Sequence, residues 1–132
     1  MAETQSSTRI SAVGRVVLPV SDPDRALDFY VGKLGFEKRA DIPYGEGDRW
    51  IEVAPAGAAT TIALVPGRDE TSPGTQSRII LDTDDIDGAH GDLRDRGVDV
   101  DEQVARMGAP VPPMVWFRDQ DNNVLMVVER QD

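Results

Sequence analysis

The sequence predicts an α+β fold made of two βαβββ modules that form an open, cup-shaped mixed β-sheet with helices on its outer face. Three observations lead there. Two stretches align at a constant offset of 63 residues, placing Arg15 on Arg78, Val16 on Ile79, Leu18 on Leu81, Asp22 on Asp85 and Ala26 on Ala89. Each copy reads as an apolar strand, an acidic turn able to cap a helix, an amphipathic helix and a glycine stop. Three short apolar strand candidates, separated by Gly- and Pro-rich turns, then follow each helix.

In chain order, the first strand is the apolar run around Val16 to Val20. The first helix has Asp22 at its N-cap and Pro23 at its first position. Its apolar face is Ala26, Leu27, Tyr30 and Leu34, and Gly35 suits the left-handed stop. Strands are expected at Phe36 to Ile42, Arg49 to Val53 and Thr60 to Val65. The second copy opens on the strand around Ile79 and Leu81. Its helix starts near Asp85, carries Ile86, Ala89 and Leu93 on one side and stops at Gly97. Gly88 and Gly91 weaken that helix by roughly 1 kcal/mol each, so packing must hold it. Strands are expected at Val98 to Val104, Met114 to Arg118 and Val124 to Glu129.

At 132 residues the chain is about one domain long. We divide it into a polar tail (1–11) and one domain (12–131), with module 1 at 12–66, a linker at 67–76 and module 2 at 77–131. Neither half, at roughly 60 residues, has much core of its own. The absence of cysteine excludes disulfide scaffolds, thiolate metal sites and a cysteine nucleophile, and a reducing cytoplasm is the expected setting. The start lacks a signal-peptide layout, and no apolar run is long enough to span a membrane. A net charge of −10, from 24 acidic and 14 basic side chains, repels phosphate backbones and anionic lipid surfaces. Neither nucleic acid nor a membrane is an expected partner.

Alternation along the strands turns Val16, Leu18, Val20, Ile79 and Leu81 toward the helices. It leaves Arg15, Val17, Arg78 and Ile80 facing the cup, together with Thr61, Ala63, Val65, Val124, Met126 and Val128. His90, the only histidine, falls on the second helix, so no multi-histidine metal site can be assembled within one chain. Asp119, Asp121 and Asn123 mimic the start of an EF-hand loop. Val124 stands where that loop needs glycine and Arg130 where it needs glutamate, so a hairpin turn is the better reading.

The string Val16-Val17-Leu18-Pro19-Val20-Ser21-Asp22, then Ala26-Leu27-Asp28-Phe29-Tyr30 and Leu34-Gly35-Phe36-Glu37, resembles the first module of the vicinal oxygen chelate superfamily. That group includes glyoxalase I, bleomycin-resistance proteins and extradiol dioxygenases. Asp82 to Asp87, Arg96-Gly97-Val98 and Phe117 to Asn123 look like its second module. The resemblance implies metal ligands on the first and fourth strand of each module, and those positions here are Arg15, Ala63, Arg78 and Met126. Arginine stays protonated, alanine has no donor and methionine prefers Cu(I), so no metal and no other cofactor is expected.

The function expected is metal-independent binding or sequestration of a small organic molecule. The expected ligand-binding residues are Arg15, Tyr44, Trp50, Ala63, Arg78, Trp116 and Met126, with no catalytic residue assigned. The charge balance favours a cationic ligand at long range, whereas the two arginines favour an anionic one at contact. Each arginine has an alternative role, pairing internally with Glu52, Asp82 or another carboxylate. Tyr44 could act as a loop lid, and the stiff loop Met107 to Met114 could cover the opening. Open sheet edges and the resemblance together imply a homodimer. The rival expectations are a glyoxalase-like lyase or isomerase, or a dioxygenase-type enzyme, with Glu52 or Tyr44 as the nearest acid–base candidates, and an interaction module with a collapsed cup.

Overall fold

The structure is a computed structural model and describes residues 8–45, 47–67 and 76–130, apart from the side chains of Tyr44 and Gln76. Residues 1–7 of the expected tail and 68–75 of the expected linker lie outside the described residues. The chain runs β1 (Arg15–Val20), α1 (Pro23–Leu27), a π-helical turn (Asp28–Lys33), β2 (Glu37–Tyr44), β3 (Asp48–Ala54) and β4 (Thr61–Pro66). The second half follows as β5 (Gln76–Thr83), α2 (Ile86–Asp95), β6 (Asp99–Val100), β7 (Met114–Arg118) and β8 (Val124–Glu129).

Each half makes its own four-stranded sheet with the same order, β1-β4-β3-β2 and β5-β8-β7-β6. The first strand of each half pairs in parallel with the last, and the remaining pairs are antiparallel. The expected α+β architecture of two βαβββ modules is what the chain adopts. Its sheets are open, with β1 and β2 at the edges of the first and β5 and β6 at those of the second.

The helix signals act where they were read. The Asp22 carboxylate accepts from the Asp24 and Arg25 amides at 3.0 and 3.4 Å, and the Asp85 carboxylate accepts from the Gly88 amide at 2.9 Å. Gly35 and Gly97 both take left-handed backbone, with φ of 78° and 76°. The first helix is not regular, however. It widens after Leu27, where the Leu34 amide reaches back five residues to the Phe29 carbonyl at 3.0 Å. The wider turn lets the adjacent side chains Phe29 and Tyr30 both enter the core.

The strand expected over Val98 to Val104 is much shorter, at Asp99–Val100, with one further bridge between Ala105 and Met114. The reason is local. The Asp101 amide still donates to the Trp116 carbonyl of β7 at 2.9 Å, but its carbonyl lies 2.8 Å from His90 Nε2 on α2, so the ladder ends at this residue and resumes only at the Ala105 bridge. His90 therefore anchors the end of the ladder.

One hydrophobic core joins the halves. Leu18, Val20, Ile62 and Leu64 from the first sheet meet Phe29, Tyr30, Ile86 and Leu93 from the helical layer and Phe117, Leu125 and Val127 from the second sheet. Phe29 and Phe117 stack across the halves with ring centroids 6.3 Å apart. Both sheets thus spend their helix-side faces on a shared interior. Their opposite faces remain free.

Candidate functional site

The free faces carry apolar side chains that a solvated surface does not require. Val17 is 54% exposed, Ile42 56% and Ile80 55%. Exposed Met107 and Val111 sit in the loop before β7. On the first sheet, β3 pairs Glu52 with Ala63 of β4, and β1 pairs Val17 with Ala63. This register brings Arg15, Trp50, Glu52 and Thr61 together. The Glu52 carboxylate accepts from Trp50 Nε1 at 2.6 Å and from the Thr61 hydroxyl at 2.8 Å, and Arg15 Nε lies 3.0 Å from it. The Trp50 bond holds the carboxyl below the usual glutamate range against the opposing effect of burial, with Thr61 and then Arg15 adding to it. Arg15 is thus neutralised within its own module.

The second sheet is arranged differently. An open hollow of about 350 Å³ lies on its free face, lined by Arg78, Ile80, Trp116, Val124 and Met126. Arg78 stands on a bulge, because β5 uses the four steps from Gln76 to Ile80 against the two from Val124 to Met126 on β8. Its backbone is left-handed, φ 61°, a conformation that costs an arginine energy. Ser77 braces the bulge, its hydroxyl donating to the Val124 carbonyl at 2.7 Å and accepting from the Ile79 amide at 3.1 Å. Among the described residues, the Arg78 guanidinium has no hydrogen-bond or ionic partner.

Of the seven ligand-binding candidates, then, Arg78, Trp116 and Met126 share one hollow. Arg15 and Trp50 gather instead around Glu52 on the other sheet. Ala63 is fully buried and presents no surface there. The side chain of Tyr44 lies outside the described residues. Arg78 and Met126 thus line the hollow on the second sheet, whereas Arg15 and Ala63 lie on paired strands of the first.

A second functional-looking feature, the Asp119 to Asn123 segment, is a structural turn. The Asp119 carboxylate accepts from the Asp121 and Asn123 amides, from the Asn123 side chain and from the Tyr30 hydroxyl. The sequence reading missed this last contact, which joins residues 89 apart.

The repeated strand-helix-strand order and the free faces invite comparison with known proteins. The sequence profile of the Glyoxalase/Bleomycin resistance protein/Dioxygenase superfamily matches residues 12–127. The chain belongs to this superfamily. Among superfamily structures, TnmS3 from Streptomyces sp. CB03234, described as an antibiotic binding protein, is 38% identical. The two superpose with a TM-score of 0.82, covering 95% of this chain and 100% of that one. A superfamily member from Sphaerobacter thermophilus DSM 20745 is also 38% identical, with a TM-score of 0.84 over 92% of this chain and 98% of that one. The uncharacterized protein YetH of Bacillus subtilis is 32% identical over 91% of this chain and 99% of its own length.

The metal centre known from superfamily enzymes does not fit these residues. Of the four positions that would supply ligands, one is an arginine ion-paired to Glu52, one a buried alanine, one an arginine on a bulge and one a methionine. A protonated guanidinium cannot ligate a divalent ion, and the set offers no oxygen or imidazole donor. Among the described residues, no three His, Asp or Glu side chains converge elsewhere either. No described helix is long and apolar enough to cross a membrane.

Proposed function

We propose that the protein binds and sequesters a small organic molecule on the free faces of its sheets, without a metal ion and without turnover. The hollow formed by Arg78, Trp116 and Met126 carries this reading, because it offers an aromatic surface, an adaptable thioether and a fixed charge at one place. The similarity to a protein described as antibiotic binding supports it. The chemistry of Glu52 supports it too. A carboxylate held below its usual range by Trp50, Thr61 and Arg15 is a poor proton acceptor near neutral pH.

The proposal includes a homodimer in a cytoplasmic setting. The free face of one copy's first sheet would meet that of the other's second sheet, closing the cup that one chain leaves open and covering Val17, Ile42 and Ile80. A thermal-shift screen of aromatic, cationic and anionic small molecules tests the binding. A ligand at a hundred times its Kd adds about 2.7 kcal/mol of stability. The corresponding rise in melting temperature should vanish in Trp116→Ala. A hit whose effect survives that substitution would place the site elsewhere.

A further inference from the structure

The internal duplication supplies a control for reading the Arg78 hollow. The offset of 63 makes Arg78 the counterpart of Arg15 and Met126 the counterpart of Ala63. Glu52 is paired with Ala63, and Trp116 is paired with Met126, so Trp116 occupies the place in the second sheet that Glu52 holds in the first. By the same offset, Val124 replaces Thr61, which is one of the donors to Glu52.

The two copies therefore keep the same arginine but differ in what faces it. In the first, a carboxylate 3.0 Å away neutralises the guanidinium. In the second, that carboxylate has become an indole, its supporting hydroxyl has become an isopropyl group, and the guanidinium, at the wall of an open hollow, has no partner among the described residues. The carboxylate is missing from the protein at the one place where its own twin shows that a carboxylate fits.

Resting on the small-molecule reading above, we propose that the hollow takes a planar aromatic carboxylate, its ring against Trp116 and Met126 and its carboxylate on Arg78. Guanidinium and carboxylate match in fork geometry, and a charge-assisted pair is about twice as strong as a neutral hydrogen bond. The indole supplies stacking area, and the thioether adjusts to the ring edge. The braced left-handed bulge fixes the arginine's backbone, and so the point from which its side chain leaves the sheet, before the ligand arrives. Neither Glu52 nor Arg15 can do this work, since each already satisfies the other.

The test uses the full chain with 2-naphthoate and its uncharged analogue 2-naphthamide. Calorimetry gives the two affinities, and the indole N–H signals of Trp50 and Trp116 in NMR spectra locate the ligand. We expect the acid to bind at least about tenfold more tightly than the amide, with the Trp116 signal moving. Arg78→Gln should erase the acid's advantage while leaving amide binding in place, and Arg78→Lys should retain part of it. Arg78→Gly repeats the test in a residue that takes the left-handed backbone without strain, so that a loss in Arg78→Gln is not mistaken for misfolding. Equal affinities for acid and amide with the Trp116 signal still moving, or an acid preference that survives both substitutions, would overturn the carboxylate assignment and leave the hollow as a binding site. If neither probe moves the Trp116 signal, the hollow does not take an aromatic acid and this proposal falls, while the thermal-shift screen with Trp116→Ala decides the broader reading.

Discussion

The Tyr30 hydroxyl donates a 2.7 Å hydrogen bond to Asp119 Oδ2, tying the helical layer of the first module to the β7–β8 turn of the second. Tyr30 is fully buried, and burial together with the Asp119 charge drives its own ionisation far above the usual tyrosine range. Around this bond, Asn123 Nδ2 reaches the Pro19 carbonyl at 2.9 Å, and Asp121 accepts from Ser21 at both its amide and its hydroxyl. The turn is a polar latch between modules.

Removing one side of that latch should cost unequal amounts. Tyr30→Phe deletes a single donor and leaves Asp119 with its remaining three, so a loss of about 1 to 2 kcal/mol is expected. Asp119→Ala strands the buried Tyr30 hydroxyl, removes one partner of the Asn123 side chain and unpins two turn amides, so a loss of about 3 kcal/mol or more is expected. Urea denaturation measures both. Equal losses would mean that Asp119 acts through Tyr30 alone.

The two glycines inside α2 should respond in opposite ways to the same substitution. A methyl group at Gly91 meets nothing within 4 Å, so Gly91→Ala is expected to stabilise the protein by about 0.5 to 1 kcal/mol. At Gly88 the added carbon would collide with the Asp85 carboxylate that caps the helix. Moving that carboxylate sacrifices a cap worth about 1 kcal/mol, so Gly88→Ala should be neutral or destabilising. Thermal unfolding of the two variants side by side checks the contrast.

The same residues show what the sequence discloses and what it conceals. Asp22, Asp85, Gly35 and Gly97 act on backbone within a few residues of themselves, so their caps and stops are legible one by one. The duplication makes the two-module architecture legible, because the same signals recur at a constant offset, whereas the strand order within each sheet is not read from it. The Tyr30 to Asp119 bond spans 89 residues, and no local pattern announces it. Ser77 and Arg78 read as ordinary strand residues, since a bulge changes register without changing composition. The fates of Arg15 and Arg78 diverge only once register places Glu52 opposite Ala63 and Trp116 opposite Met126. Identical residues at equivalent positions take their roles from what the neighbouring strand puts beside them.

Glu52 should give the first sheet a signature in acid. Its folded-state carboxyl titrates below the ordinary glutamate value of about 4.3, so the unfolded chain binds its proton first as the pH falls. The stabilisation is full above that ordinary value and is lost as pH drops through the lower folded-state value. Glu52→Gln keeps the shape and most of the hydrogen bonding but removes the charge facing Arg15. We expect it to cost about 1 kcal/mol at pH 7 and progressively less toward pH 3, where the wild-type carboxyl also becomes neutral. Urea titrations at several pH values measure the gap, and a gap that stays constant across that range would remove Glu52 from the acid response.

The exposed apolar residues of the free faces make the homodimer measurable. Val17 lies on the first sheet and Ile80 on the second, so a cup closed by two copies covers both, whereas a contact through one sheet alone covers only one of them. An aspartate at either position would carry a charge into an apolar contact, and it would also add to a chain whose net charge is already −10. Sedimentation should therefore find a dimer for the wild type, with Val17→Asp and Ile80→Asp each weakening it at least about tenfold. Both positions are exposed within one chain, so far-ultraviolet circular dichroism should show each variant still folded. Loss of the dimer in only one variant would indicate a contact between like sheets, and a wild type that stays monomeric at high concentration would leave the free faces to the ligand alone.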